Sequence, residues 1–222
     1  MQHKNIKVVS DYILNQKISH KPLLVGINGI DGSGKTSIAR NITEYLSDIG
    51  KSVITVSIDD FHNCKKKRYA RGSDSPEGYY YDSMNFEEFK TKLLEPIKQA
   101  LEFPIKVYSK TFDLHSDKAQ NIENSVLEDS IVIVEGVFLF KPDMIDFFNV
   151  KIFIDAKRKV ITERMIVRDL ASDATSLEIE NYRTRIEQKY MAGQDIYLSE
   201  SDAKNKADIV IDNNDYKNPI IV

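Results

Sequence analysis

Residues 26–37 read GINGIDGSGKTS and follow directly on the apolar run Leu23, Leu24, Val25. Within them, Gly29 to Thr36 fill the pattern G-x-x-x-x-G-K-[ST] without a mismatch. After the loop, Ile38, Ile42, Leu46 and Ile49 recur at helical spacing, and Gly50 stands where a left-handed helix cap is expected. A strand, this loop and a helix form a phosphate cradle. Glycines let the backbone curl so that successive N–H groups point inward, and the helix N-terminus adds partial positive charge. Gly29, Asp31, Gly32, Ser33, Gly34, Lys35, Thr36 and Ser37 are therefore the candidate nucleotide-binding residues. Lys35 is expected to reach the β and γ phosphates as a point charge, and the Thr36 hydroxyl to sit on a Mg2+ ion bridging them.

Working outward, short apolar strands alternate with helical patterns, the signature of a parallel sheet covered by helices. Strands are predicted at Leu23–Asn28, Ser52–Ser57, Ser130–Glu135, Lys151–Asp155 and Asp208–Asp212. Several are nearly continuous apolar runs, as strands buried on both faces should be. A helix is signalled from Phe86 to Leu101, with a kink or break at Pro96, and another from about Lys157 to Leu170. The polar, basic and then aromatic segment His62 to Tyr81 is long for a connection, and such loops are usually functional or disordered. The stretch FPIKVYSKTFDLHS holds two strand-like pieces expected to form a hairpin beside the main sheet.

The 222 residues suit one domain. With 41% hydrophobic and 29% charged residues, and no apolar run of bilayer length, no membrane partner is expected. The N-terminal MQHKNIKVVSDYILNQK lacks the features of a secretory signal and reads as a short amphipathic helix. Cys64 is the single cysteine, so no intrachain disulfide can form and a cytoplasmic location is the default. A net charge of −3 supplies no global basic field for nucleic acid, and the KKKR run at Lys65–Arg68 reads as a solvated loop.

In open α/β sheets ligands bind beyond the carboxyl ends of the strands, and acids stand at three of these ends. Glu135 closes an apolar strand and is a candidate Mg2+ partner. Asp59 is a candidate general base, and Asp60 either shares that role or caps the next segment. Asp155 reads better as a cap for the helix near Lys157. Arg164 and Arg168 lie four apart on one helix face. They either close over a triphosphate or pair with Glu163 and Asp169.

These pieces together resemble the uridine kinase family, a branch of P-loop kinases that includes phosphoribulokinase and bacterial pantothenate kinase. The resemblance runs from Lys21 onward and rests on GIDGSGKTS, SIDDFH, IVIVEGVF, KIFIDAKRKVITERMIVRD and ADIVIDNND. It implies an α/β P-loop NTPase fold: a parallel five-stranded sheet flanked by helices, with a lid helix and a small β-hairpin insertion on the substrate side. A single domain over 1–222 is implied, with the lid at about 164–190 and the insertion at about 62–126. By position, Asp59 would be the catalytic base, Glu135 a magnesium partner, and Arg164 and Arg168 lid arginines. Asp82 would hold sugar hydroxyls, His62 would lie against the base, and Tyr108 and His115 are candidates for binding it. Tyr79 to Tyr81 read as packing residues.

The expected activity is transfer of the γ phosphate of ATP, with Mg2+, to a hydroxyl of a small-molecule acceptor, with the 5′ hydroxyl of a nucleoside such as uridine or cytidine placed first. Pantothenate, a ribosyl pyridine and a sugar phosphate are the competing acceptors, since Arg68 and Arg71 suit an anion. A regulatory ATP-binding protein without an acceptor is the rival class. The family analogy allows a homo-oligomer, and the sequence does not fix one.

Overall fold

The computed structural model describes residues 3–16 and 20–222. Its centre is a sheet in which the five expected strands all form and all run parallel. In chain order the helix α1 (His3–Asn15) precedes β1 (Leu23–Gly29), α2 (Lys35–Asp48) and β2 (Val53–Ser57). There follow a helical turn α3 (Lys65–Arg68), α4 (Phe86–Phe89), α5 (Glu95–Gln99) and a separate antiparallel pair, β3 (Ile105–Asp113) and β4 (Lys118–Val126). The main sheet resumes with β5 (Ile131–Gly136) and β6 (Val150–Asp155). Then come α6 (Arg158–Asp169), α7 (Ser176–Arg185), α8 (Ala192–Ser201), β7 (Ile209–Asp212) and β8 (Ile220–Ile221).

The order across the sheet is β2-β5-β1-β6-β7-β8. From β1 the chain leaves toward β2, and from its neighbour β6 it leaves toward β7 on the opposite side. The two strands therefore diverge at their carboxyl ends, where the phosphate loop begins, which is the crevice such sheets use for ligands. β8 is an addition to the expected five strands; it pairs antiparallel with β7 over Ile211↔Ile221 and Asp212↔Ile220.

Both faces of the sheet are covered, which explains the continuous apolar runs. On one face Leu23, Val25, Ile27, Ile131 and Ile133 pack under α1 and α2 through Ile13, Ile38, Ile42 and Leu46. The alternate residues Leu24, Val132, Val134 and Phe153 face an aromatic-rich core with Phe61, Tyr80, Phe89, Phe138 and Tyr197. A third cluster beneath α6 joins Ile161, Met165 and Ile166 to Ile186 and Met191. α2 ends as its sequence requires: Gly50, at φ 79°, donates to the Ser47 carbonyl, and Lys51 donates to that of Leu46. That is the double-bonded left-handed helix stop, which a residue with a Cβ adopts only at a cost.

Several connections depart from expectation. Pro96 does not break its helix: a π-helical turn, Lys90–Leu94, links α4 to α5, and an i→i+5 pattern passes over the missing proline N–H. The whole of Ile105–Asp113 is one strand, and its hairpin partner is Lys118–Val126 rather than a second piece of FPIKVYSKTFDLHS. The KKKR run forms a helical turn in which Lys65, Lys66 and Lys67 are exposed while the Arg68 side chain is turned inward. Asp155 does not cap α6; it pairs with Lys204 at 2.6 Å, and the Asn214 side chain instead accepts from the Lys157 N–H. The N-terminal amphipathic helix forms with Ile6, Val9 and Ile13 inward, Met1, Gln2 and Lys17 lying outside the described residues. Among the described residues no helix is long and apolar enough to cross a membrane.

Leu46 is fully buried where α2 meets the sheet. Leu46→Ala is expected to lower stability by about 2–5 kcal/mol, read as a reduced urea midpoint at unchanged slope.

Candidate active site

The loop after β1 has the shape its glycines foretold. Gly32 and Gly34 hold φ of 72° and 96°. A Cβ on Gly34 would lie 2.3 Å from Nδ2 of Asn213, so the chain passes too close there for any other residue. That Nδ2 donates to the Ser33 carbonyl at 2.6 Å. Arg164 reinforces the junction, donating to the Asn213 carbonyl at 2.7 Å and to that of Ser33 at 3.4 Å. Lys35 is buried with its Nζ 3.8 Å from Asp31. Asp31 also accepts the Tyr79 hydroxyl, to which Gln194 donates at 3.2 Å. The Ser33 hydroxyl is buried and has no hydrogen-bond partner. An orphaned donor, a buried ammonium and a helix N-terminus gathered in one loop fit the phosphates of a nucleotide.

Beside the loop stands a set of oxygen ligands. Thr36 donates to Oε2 of Glu135 at 3.1 Å, and Ser57 donates to Oε1 at 2.7 Å. Burial holds the Glu135 carboxyl above its ordinary range, an effect opposed chiefly by Lys35. Asp60 opens onto the same recess. Its carboxyl is pushed up to about 6, first by burial and then by the charges of Asp59 and Glu135. Among the described residues no three acidic, histidine or cysteine side chains converge as a self-sufficient metal site. That agrees with Mg2+, which takes one or two carboxylates or hydroxyls from protein and the rest from water and phosphate. The hard oxygen donors and the crowded negative charge fit such an ion.

A cavity of about 410 Å³ lies on the other side of the loop, and Asp31, Asp59, His62 and Arg168 all line it. His62 Nδ1 is 2.5 Å from the Asp59 carbonyl oxygen, to which it donates. Arg168 pairs with Asp169 at 2.6 Å, and Asp169 also accepts the Tyr182 hydroxyl. The two expected lid arginines thus part company: Arg164 is engaged by carbonyls of the loop junction and Arg168 lines this cavity.

Three expected substrate residues fall outside the cavity's walls. Asp82 accepts from Arg71 at 2.7 Å, so its carboxylate is already matched. Tyr108 lies opposite Glu123 in the hairpin register and donates to it on the exposed side, at 3.2 Å. His115 occupies the hairpin turn in solvent, and Leu114 is the turn residue that reaches the cavity. Conversely, sequence reasoning passed over Asn213, although it lies inside the quoted ADIVIDNND, and Tyr79, which it read only as packing. A second cavity, also about 410 Å³, opens beside Gly34, Ser37, Arg164, Asn213 and Tyr216. It adjoins the first turn of α2, and Asp59 is not among its walls.

The model of the phosphoribulokinase/uridine kinase family matches residues 24–214. Uridine kinase of Ligilactobacillus salivarius is 26% identical over 183 residues, covering 77% of this chain and 78% of the relative. Uridine kinase of Schizosaccharomyces pombe is 32% identical over 157 residues, 68% of this chain but 32% of that longer protein. Among solved structures, a possible uridine kinase from Bacillus stearothermophilus superposes with a TM-score of 0.73 at 23% identity, over 95% of this chain and 99% of its own. D-glycerate 3-kinase from Cryptococcus neoformans superposes at 0.59 with 14% identity, over 85% and 89%.

The raised Asp60 pKa has a definite sign. Between its ordinary value of 3.8 and about 6, the native state binds the proton more tightly than the unfolded chain. Stability is therefore lost as pH rises through that window and stays lower above it. Asp60→Asn is expected to be more stable than the parent at about pH 7 in metal-free buffer, by on the order of 1 kcal/mol for a half-buried, screened group. The advantage should vanish as the pH approaches about 4 in urea titrations run as a pH series.

Proposed function

The chain belongs to the phosphoribulokinase/uridine kinase family and is an ATP-dependent kinase; we propose that it phosphorylates a hydroxyl of a nucleoside-like small molecule held in the cavity beside Asp59. The observation that carries this reading is the shared wall: Asp59, the loop residue Asp31 and Arg168 border one space. An acceptor there lies against both the phosphate loop and a free carboxylate. The names of the relatives favour a nucleoside, uridine first.

In this reading the amides of Gly32 to Thr36 and the Lys35 ammonium hold the triphosphate. The base end lies in the cavity bordered by Arg164, Asn213 and Tyr216. Thr36 and Glu135 would hold Mg2+, with Asp60 facing the same recess, and the ion would supply charge neutralisation for the triphosphate. Asp59 accepts the proton of the acceptor hydroxyl as its oxygen forms a bond to the γ phosphorus. The bond from that phosphorus to the β,γ-bridging oxygen breaks, and ADP leaves with the electron pair. Arg168 sits where it can stabilise the transferred group once it releases Asp169, and α6 to Tyr190 is the segment that would close as a lid.

A second reading within the kinase class is favoured by the positions of Asp82, Tyr108 and His115, none of which lines the cavity. It is transfer to another small metabolite, such as pantothenate, a ribosyl pyridine or a sugar phosphate.

Asp59→Asn is expected to lower kcat by about 10²- to 10⁴-fold while ATP affinity stays within a few-fold. Coupled ADP release with uridine and cytidine, together with calorimetric ATP titration, measures both. ADP release that is indifferent to any acceptor, and to this substitution, would mark an ATPase and end the kinase assignment of this cavity.

A further inference from the structure

The cavity that Asp59 lines also carries buried positive charge. Lys189 lines it and is 6% exposed. Its ammonium donates to the Ser73 carbonyl at 2.6 Å and lies 5.2 Å from the ring centres of both Tyr69 and Tyr190. Among the described residues it has no ion-pair partner. The nearest acid by its effect, Asp74, is held by Arg185 at 2.9 Å. Burial, reinforced by Arg185 and Arg68, lowers the Lys189 pKa. A lysine this deeply enclosed is ordinarily matched by a carboxylate or by a ligand anion.

Arg68 stands beside it on the cavity wall with its side chain 9% exposed. Its Nε donates to the Asn63 carbonyl at 2.8 Å and one terminal nitrogen donates to Asp117 at 3.1 Å, which fixes the guanidinium plane. Its charge is thus matched by Asp117, while that of Lys189 is answered by a carbonyl and two ring faces only. A neutral acceptor would leave this arrangement as it is. An anion would complete it with a charge-assisted hydrogen bond.

We propose that the acceptor carries an anionic group, a phosphate or a carboxylate, bound by Lys189 with Arg68 beside it, in addition to the hydroxyl presented to Asp59. The proposal rests on the reading of this cavity as the acceptor site, and within it takes the second of the two readings, an acceptor other than the neutral nucleoside that the relatives' names put first. It orients the acceptor as well as selecting it, with the anion anchored where α3 and the π-helical turn Ile186–Met191 border the cavity and the hydroxyl directed at Asp59.

The test compares acceptor-dependent ADP release by the full chain on neutral acceptors (uridine, cytidine, ribose) and on two anionic sets, sugar monophosphates and sugar-derived carboxylates. At least one anionic set is expected to exceed the neutral acceptors by about tenfold or more in kcat/KM, and which set does so separates phosphate from carboxylate. Lys189→Gln should raise KM for that acceptor about 10- to 100-fold with kcat within about threefold and KM for ATP unmoved. Lys189→Arg, which keeps the charge, should recover most of the affinity. Neutral acceptors turned over as well as anionic ones, or an anionic KM untouched by Lys189→Gln, would overturn the proposal and leave the kinase reading standing. Absence of acceptor-dependent release with every set would overturn both. If Lys189→Gln does not fold, the wild-type ratio and competition by inorganic phosphate against the acceptor decide the question.

Discussion

The site depends on one close approach, that of the phosphate loop to the turn after β7. Gly34 leaves no room for a side chain against Asn213, and the Asn213 amide closes the gap by holding the Ser33 carbonyl. β7 is two strands removed from β1 in the sheet, so this bond joins the loop to a part of the chain about 180 residues away in sequence. Arg164 joins it there from α6, its guanidinium spread across carbonyls of both partners. The curvature that points the loop amides inward is therefore set by tertiary contacts as well as by glycine. Preorganised donors of this kind stabilise transferring charge without reorganising at the moment of reaction.

Around that rigid loop the charges are divided by side. Thr36, Glu135, Asp60 and Ser57 gather acids and hydroxyls on one flank, where burial raises both the Glu135 and Asp60 carboxyls. On the other flank Asp31 and Asp59 share one cavity with Arg168, Arg68 and Lys189. The first flank has an excess of negative charge and the second a buried positive charge. Each is the complement of something a phosphoryl-transfer reaction brings with it, a divalent cation in one case and an anion in the other.

The sheet was legible because parallel strands buried on both faces write themselves as unbroken apolar runs, and all five predicted strands lie within a residue or two of their predicted ends. The loop was legible because its spacing is dictated by backbone geometry that few sequences satisfy by accident. The acceptor side was not. Tyr108 and His115 sit on a hairpin whose register turns on strand pairing, and residue type alone could not show that Tyr108 faces Glu123 rather than the cavity. Lys189 carried no signal at all, since a lysine in a polar helix is usually in solvent; a π-helical turn, Ile186–Met191, brings it inward together with Ile186 and Met191. Pro96 misled in the other direction, because the same kind of widened turn accommodates it.

That second π turn has a mechanical meaning. α7, the turn and α8 form one helical rod from Ser176 to Ser201, and its two halves are anchored very differently. α8 buries Gly193, Gln194, Tyr197 and Ser201, whereas α7 buries none of its residues. The rod is a lever, clamped at one end in the aromatic core and held at the other only by partly buried contacts to α6, among them Tyr182 to Asp169 and Arg183 to Glu163. Its fulcrum is the segment that carries Lys189, and helices bend most readily where their hydrogen-bond pattern widens. A load applied to the outer arm is thus transmitted first to the wall of the proposed acceptor cavity.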